Sequence, residues 1–265
     1  MNYQLMRAGD RYPAVGVLQK LLNRSGESLV VDGDFGSKTR EAVKRFQRGH
    51  GLKADGIVGK DTFPQLIEGY AGEDELHIVD CIDVFDENFW TDGQQWEDQD
   101  IRGAGGRPIL LGGMSNGIEQ AISDICRAAA AGSVFLLRFH GHGTGGVAGI
   151  SLGTGEVVGE GSYLTPDSAD QYAASLARLK PLFSPYGCVQ LMHCSTGAGA
   201  QGRLLLKKLA RAIGVPVTAA LLIQRGGSGV NTFAWEGPTQ TAFPDGKSLK
   251  EWCKKLPDFA AMSLR

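Results

Sequence analysis

The chain has 265 residues, of which 42% are hydrophobic and 21% are charged, a composition that suffices for one large or two ordinary packed domains. Its formal net charge of −2 gives no reason to expect nucleic acid or an anionic membrane surface as a partner. The apolar runs are shorter than the about twenty residues that cross a bilayer, so we expect no membrane span.

Charge is divided unevenly along the chain. Residues 1–70 contain eleven Lys and Arg against eight Asp and Glu, whereas the remainder contains sixteen against twenty-one. A slightly basic front part on an acidic body indicates two units with different roles. We therefore predict domains at 1–70 and 75–265, joined by a Gly-rich and acidic hinge over residues 69–75.

Residues 1–70 contain an internal repeat. Residues 32–39 and 55–62 both read Asp-Gly-x-x-Gly-x-x-Thr. The glycines permit the positive φ of tight turns, and Ser37 and Asp61 are predicted N-caps of the helices that follow. Apolar residues at helical spacing predict three short helices around one small core, and their stripes are Val15, Leu18, Leu21 and Leu22, then Ala42, Val43 and Phe46, then Phe63, Leu66 and Ile67.

The repeated turn, together with Gln19 and Gln47 in the helical stripes, resembles the three-helix peptidoglycan-binding domain attached to many bacterial cell-wall hydrolases. The resemblance covers nearly all of residues 5–68. It implies peptidoglycan as a partner. Most of the motif residues define the fold, so the motif does not indicate which surface contacts the glycan.

From residue 76 onward, predicted strands and helices alternate. This alternation indicates an α/β domain with a mainly parallel sheet and helices on both faces. Residues 86–100 and 103–113 are predicted loops. The predicted helices are 115–131, 166–179 and 201–213, and the predicted strands are 76–85, 133–139, 149–152, a strand ending at Cys194, and 215–223.

Two of these strands end in residues suited to nucleophilic catalysis. One runs into His142 and Gly143, and the other stops at Cys194. The carboxyl ends of parallel strands open a ligand crevice, where a neighbouring imidazole can convert a thiol into an attacking thiolate. We predict that Cys194 and His142 form a catalytic dyad. The N–H groups of Cys194 and Gly143 are the predicted donors to the developing oxyanion.

Two other histidines lie close to this pair. His140 is two residues from His142, so on an extended chain both point the same way, and either is a candidate for the catalytic imidazole. The glycines on each side favour His142. His193 should project to the opposite face of its strand from Cys194, and we predict a structural role for it.

The strand ending in His142-Gly143 and the strand ending in Cys194-Ser195-Thr196-Gly197 resemble those of the caspase-like (clan CD) cysteine peptidases, the CHAT proteases most closely. The resemblance implies a caspase-like α/β sandwich in which Cys194 is the nucleophile, His142 transfers the proton and no cofactor is needed. A carboxylate in the substrate pocket would favour a basic side chain, of the kind found in wall peptides. By resemblance, the pocket residues are Asp80 or Asp83 on the first strand, and Ser228 and Trp235 after the strand that follows the nucleophile.

Two alternatives to a cysteine peptidase stay open. His140, His142 and Cys194 are all zinc ligands by type, so a zinc-dependent wall amidase is one alternative. No carboxylate lies close by in sequence to act as its base. A non-catalytic peptidoglycan-binding protein is the other alternative.

The sequence thus predicts a cell-wall-targeted cysteine peptidase that hydrolyses an amide bond in a peptidoglycan stem peptide or a wall-associated protein. The first residues lack the apolar segment of a signal peptide, so we expect action at the cell wall or periplasm after non-classical export, with a cytoplasmic role as the alternative. Five cysteines without a close Cys-x-x-Cys pair do not favour a disulfide framework. Cys81 and Cys126 are predicted core residues.

Overall fold

The computed structural model describes residues 2–68, 73–84, 96–112, 115–151, 160–224 and 230–259. Within these ranges, none of the helices is both long enough and apolar enough to cross a bilayer. The helices in the described ranges are α1 (Pro13–Arg24), α2 (Ser37–Gly49), α3 (Thr62–Ile67), α4 (Trp96–Gly103), α5 (Gly117–Ala128), α6 (Pro166–Gln171), α7 (Ala173–Leu176), α8 (Gly199–Ile213), α9 (Val230–Phe233) and α10 (Leu249–Cys253). The strands there are β1 (His77–Asp83), β2 (Ile109–Leu111), β3 (Val134–His140), β4 (Gly143–Thr144), β5 (Val147–Gly149), β6 (Tyr163–Leu164), β7 (Phe183–Met192), β8 (Val217–Ala220) and β9 (Thr239–Ala242).

The three predicted helices of the N-terminal part are confirmed as α1, α2 and α3. Helix α1 begins after Tyr12, with Pro13 in its first turn, where a missing N–H costs nothing. The predicted cap at Ser37 is wrong, because Gly36 occupies the N-cap and Ser37 is already helical. Asp61 does precede α3, but its side chain makes no capping hydrogen bond.

Each copy of the repeated turn is held by a buried glutamine from the preceding helix. Gln19 donates to the Asp32 carboxylate at 2.9 Å and accepts from the Gly33 N–H at 2.9 Å. Gln47 accepts from the Gly56 N–H at 2.9 Å in the same way. Both glycines have φ of +76°, a left-handed conformation that favours glycine. The residues of the repeated motif therefore have a structural role, because they fix the shape of the two turns.

The main sheet has six strands in the order β2-β1-β3-β7-β8-β9. Neighbours from β2 to β8 pair in parallel, and β9 pairs antiparallel to β8. The predicted mixed α/β fold with a mainly parallel sheet is thereby confirmed. The strand order reverses between β1 and β3, and such a switch point opens a crevice at the carboxyl ends of the strands. A small antiparallel sheet, β4-β5-β6, follows directly after β3.

The two faces of the main sheet are covered differently. Side chains alternate along β3, so Leu137 and Phe139 pack with α5 and α8 on one face. Leu136 belongs to the core on the other face, together with the N-terminal helices. The prediction of helices on both faces holds for the first face. On the second face, residues 2–68 supply much of the cover.

The N-terminal part and the α/β part share one continuous hydrophobic core. The rings of Tyr3 and Phe233 stack with centroids 4.2 Å apart. Phe63 stacks on Phe135 at 6.4 Å, and the amide N–H of Leu5 donates to the Phe233 carbonyl oxygen at 3.1 Å. The division of the chain into domains at 1–70 and 75–265 therefore stays a prediction. In space, the two parts are packed as one body.

Several predicted elements differ from the structure. Helix α4 begins inside the predicted acidic loop, and β2 lies inside the predicted Gly-rich loop. The predicted helix over 166–179 is broken into α6, α7 and a 3-10 turn. The element predictions end at residue 223, although β9 and α10 follow. Each missed element is short, which makes its periodicity weak.

Candidate active site

The predicted dyad residues follow neighbouring positions of two adjacent parallel strands. His140, the last residue of β3, pairs with Met192, the last residue of β7. His142 and Cys194 each lie two residues further along their own chain. Because paired strands lie about 4.8 Å apart, the two strand extensions start side by side. The structure thus brings the segments that carry Cys194 and His142 to the same edge of the sheet.

A tight turn places Cys194 at this edge. The next residue, Ser195, has φ of +51°. A non-glycine residue in the left-handed region is uncommon and typical of functional turns. The Ser195 amide N–H donates to the Leu222 carbonyl oxygen at 2.9 Å. Cys194 is partly exposed, and the Gln224 N–H donates to its sulfur at 3.3 Å, which orients the thiol.

His142 and Gly143 lead into the β4–β5 hairpin beside this turn. The Gly149 N–H donates to the His142 carbonyl oxygen at 2.8 Å. Hydrogen-bonded and non-bonded pairs alternate along an antiparallel ladder. Because His142 and Gly149 are hydrogen-bonded, the next pair, Gly143 and Ala148, is non-bonded, and the Gly143 N–H points away from β5. A Cβ on Gly143 would lie 2.3 Å from the Thr196 hydroxyl oxygen. The hairpin and the turn after Cys194 are therefore in direct contact.

His193 holds the hairpin in place. Its side chain is buried, and Nε2 donates to the Gly149 carbonyl oxygen at 2.8 Å. Burial, helped by the nearby imidazoles of His140 and His142, lowers the pKa of His193 to about 4, against the opposing effect of the Gly149 bond. His193 is therefore neutral near pH 7 and acts as a hydrogen-bond donor within the fold.

Asp80 lies inside the protein, on the sheet face that the N-terminal part covers. Its carboxylate accepts from Arg138 Nε at 2.5 Å and from His140 Nε2 at 2.9 Å. Burial would raise the pKa of Asp80, but the Arg138 charge and the His140 hydrogen bond outweigh it and hold the pKa well below its ordinary value. With 2% exposure and these partners, the carboxylate is not placed to contact a substrate.

The other predicted pocket residues are placed as follows. Asp83 is the last residue of β1, at the switch point, and it is buried beside Gly141, where an added Cβ would lie 2.9 Å from its Cβ. Trp235 is buried, and its indole N–H donates to the Leu191 carbonyl oxygen at 3.3 Å. Ser228 lies outside the described residues.

The three histidines and the cysteine do not form a metal centre in the described part of the chain, where no group of three or more His, Cys, Asp and Glu side chains is suitably arranged. His140 faces Asp80, and His193 faces Gly149. Cys194 lies against Gln224 instead. This arrangement gives no support to shared zinc ligation by His140, His142 and Cys194.

A separate groove of about 1280 Å³ runs along the amino ends of β1 and β3, at the sheet edge opposite to Cys194. Its described lining includes Glu75, His77 and Ser133 and no cysteine. In parallel sheets the reactive groups lie at the carboxyl ends of strands. We therefore place the candidate active site at the Cys194 edge.

Two parts of the site were missed from the sequence. Arg138 sits in an otherwise apolar strand, and a buried charge must be paired, so this residue was an available signal for a polar cluster. The contribution of Leu222 and Gln224, which contact the turn after β7, depends on the pairing of β7 with β8. Local sequence carries no signal for that contact. Cys126, predicted as core, is partly exposed, whereas Cys81 is buried as predicted.

Residues 11–66 match the family model described as a putative peptidoglycan binding domain. The zinc D-Ala-D-Ala carboxypeptidase of Streptomyces albus G is 42% identical over 60 residues, which are 23% of this chain and 21% of that protein. The N-acetylmuramoyl-L-alanine amidase CwlL of Bacillus licheniformis is 61% identical over 53 residues, 20% of this chain and 15% of that protein. The Burkholderia AP3 phage endolysin structure is 46% identical over 25% of this chain and 26% of that chain, with a TM-score of 0.25. The chain thus spans about a fifth or less of the curated relatives it matches, and its N-terminal part is a putative peptidoglycan-binding domain.

Proposed function

We propose that this chain is a cell-wall-targeted cysteine peptidase with a caspase-like α/β part, which hydrolyses an amide bond in a peptide or protein. The observation that carries the proposal is the register of β3 and β7, in which His140 opposite Met192 aligns the extensions bearing His142 and Cys194. His142 is exposed and Cys194 partly exposed, so a substrate can reach both. The positive φ of Ser195 supports a turn built to present the thiol.

In the proposed reaction, His142 accepts the thiol proton, and the Cys194 thiolate attacks the substrate carbonyl carbon. The N–H groups of Cys194 and Gly143 stabilise the resulting oxyanion. His142 then donates the proton to the leaving nitrogen as the C–N bond breaks. Water, deprotonated by His142, attacks the thioester and releases the acid product, and the proton returns to the sulfur.

The proposed substrate is a peptidoglycan stem peptide or a protein at the wall. The N-terminal part supports this location because it matches a putative peptidoglycan-binding domain. The curated relatives that match it are named as a carboxypeptidase and an amidase. Of the two predicted pocket carboxylates, Asp83 lies nearer to the His142 turn, at the switch point, but it is as buried as Asp80, so its contact with substrate stays a prediction. Substrate contacts of Ser228 and Trp235 stay predictions.

The proposal is tested by mass spectrometry of purified cell wall digested with the wild-type protein and with Cys194→Ala. Cys126→Ala is the matched control, because Cys126 is another partly exposed thiol. We expect new peptide or amine termini with the wild type and with Cys126→Ala, and none with Cys194→Ala. His142→Ala should reduce their yield at least 100-fold, as expected for a general acid–base group. Absence of new termini with wild type would overturn the proposal.

The same digestion separates the alternatives. A zinc amidase predicts termini that disappear with a chelator and return with added zinc. A non-catalytic binding protein predicts that the chain stays on the wall while no bond is cut. Either result would replace the cysteine peptidase.

A further inference from the structure

Arg138 lies at the boundary between the N-terminal part and the sheet. It is fully buried, with 0% exposure. Since side chains alternate along β3, Arg138 and His140 point to the same face as Leu136, which packs in the core shared with residues 2–68. A buried guanidinium needs a partner for its charge and for its N–H groups.

Residues 2–4 supply part of these partners. Arg138 Nη1 donates to the Tyr3 carbonyl oxygen at 3.0 Å, and Nη2 donates to Asn2 Oδ1 at 3.0 Å. The Asn2 amide also donates to Asp80 Oδ2 at 2.5 Å. Asn2 therefore bonds to both members of the Asp80–Arg138 ion pair, which lie on β1 and β3.

The ion pair is connected to the candidate catalytic turn. Asp80 Oδ1 accepts from His140 Nε2 at 2.9 Å, at the last residue of β3. The next residue, Gly141, is closely packed, because a Cβ there would lie 3.1 Å from the Gly149 carbonyl oxygen and 3.2 Å from His193 Nε2. A displacement of His140 would therefore be passed to the segment that leads into His142.

We propose that Asn2, Asp80 and Arg138 are positioning residues for the hydrolytic site. They fix His140 and, through it, the turn that carries His142. This inference rests on the proposed function and goes beyond it. The segment that precedes the putative peptidoglycan-binding domain of residues 11–66 would then be an integral part of the catalytic structure.

The test uses the full chain with Asn2→Ala in a Cys126→Ala background. This substitution removes the bonds to Asp80 and Arg138 and leaves no new buried charge. Lys20→Ala is the matched control. Lys20 also links the N-terminal part to the rest of the chain, through an ion pair with Asp258 at 2.5 Å, but this pair is not bonded to Asp80, Arg138 or His140. Asn2→Ser, which can keep one of the bonds, is an intermediate variant if Asn2→Ala folds poorly.

Three properties are measured: the rate of Cys194 alkylation by iodoacetamide, the NMR resonance of the His140 Nε2 proton, and retention on purified cell wall. We expect Asn2→Ala to slow alkylation about tenfold and to shift or broaden the His140 resonance, with Asn2→Ser between it and wild type. Wall retention should be unchanged. Lys20→Ala should match wild type in all three.

A purely structural role for Asn2 would leave the His140 resonance in place in the folded fraction. If Cys194 is alkylated rapidly in the wild type and equally rapidly in Asn2→Ala, the positioning role is refuted, but the proposed peptidase function is not. Equal slowing by Asn2→Ala and Lys20→Ala would also overturn it, since the effect would then be general. A slow Cys194 in the wild type would instead refute the proposed function itself.

Discussion

His193 provides a direct test of how the hairpin that carries His142 is held. Its buried Nε2–H donates to the Gly149 carbonyl oxygen at 2.8 Å, and burial lowers its pKa to about 4. In the unfolded chain a histidine has a pKa of about 6.5. As the pH falls from 6.5 to 4, the unfolded state therefore gains a proton that the native state does not. The stabilising contribution of neutral His193 is therefore fully present above about pH 6.5 and is lost as the pH falls from 6.5 to 4. Below pH 4 this group causes no further loss of stability.

The size of the loss follows from the two pKa values. Their separation of about 2.5 pH units corresponds to about 3 kcal/mol in the free energy of unfolding, at 1.36 kcal/mol per unit. Small domains are stable by about 5–15 kcal/mol, so a loss of this size is a large fraction of the total. We expect it to be complete by about pH 4, the lower of the two pKa values.

The assay compares urea unfolding of wild type and His193→Gln from pH 7.5 to pH 4. Glutamine keeps an amide N–H that can reach the Gly149 carbonyl and does not titrate. Other groups, such as His77, whose pKa is lowered by burial, cancel in the difference. Wild type should lose about 3 kcal/mol more than His193→Gln. Parallel curves for wild type and His193→Gln would refute the assignment of a buried neutral imidazole.

Three further predictions concern the thiols, the hairpin and the shared core. Burial raises the pKa of Cys253 to about 12, so about 1 in 10⁵ of its thiols is ionised at pH 7, against a few per cent of an ordinary thiol. Iodoacetamide should therefore modify Cys194 at least a hundredfold faster, by peptide mass spectrometry, and comparable rates would contradict the site. Gly143→Ala places a Cβ 2.3 Å from Thr196 Oγ1, so we expect at least a tenfold loss of wall cleavage, whereas Gly36→Ala, with no atom within 4 Å of its added Cβ, should keep full activity. Because α1 and β3 pack on one core, their slowest amide protons should show the same opening free energy in native-state hydrogen exchange. Two separate transitions in urea unfolding would contradict a single cooperative unit.

The N-terminal part could be predicted from the sequence because its determinants are local. The apolar stripes of α1 and α2 recur at helical spacing, and both Asp-Gly turns carry a glycine at the position with φ of +76°. Val15, Leu18, Ala42 and Val43 are all buried, as predicted. The Ser37 cap failed because Gly36, a residue type that is also tolerated at the N-cap, occupies that position, so the helix already includes Ser37.

The edge of the sheet that carries Cys194 was also predictable, for a different reason. Continuous apolar runs bounded by glycines predict buried parallel strands, and their carboxyl ends must share one edge. The register that aligns the segments carrying His142 and Cys194 was not predictable, because it depends on the pairing of residues more than fifty positions apart. The same limit explains Asp80. Its carboxylate was expected to face a substrate, whereas its partners Arg138 and Asn2 come from separate parts of the chain.

The buried Asp80–Arg138 ion pair also explains why the N-terminal part lies on the sheet in one orientation. The apolar contacts at this boundary, such as Tyr3 on Phe233 and Phe63 on Phe135, are not directional and tolerate sliding. Arg138 is different, because its planar guanidinium presents donors in a fixed geometry and leaves an uncompensated charge if the partners move. Replacing a buried pair by apolar groups is often neutral or stabilising, so stability alone does not account for it. We therefore attribute to Arg138 the role of fixing the register between residues 2–4 and β3, on which the placement of the His142 turn depends.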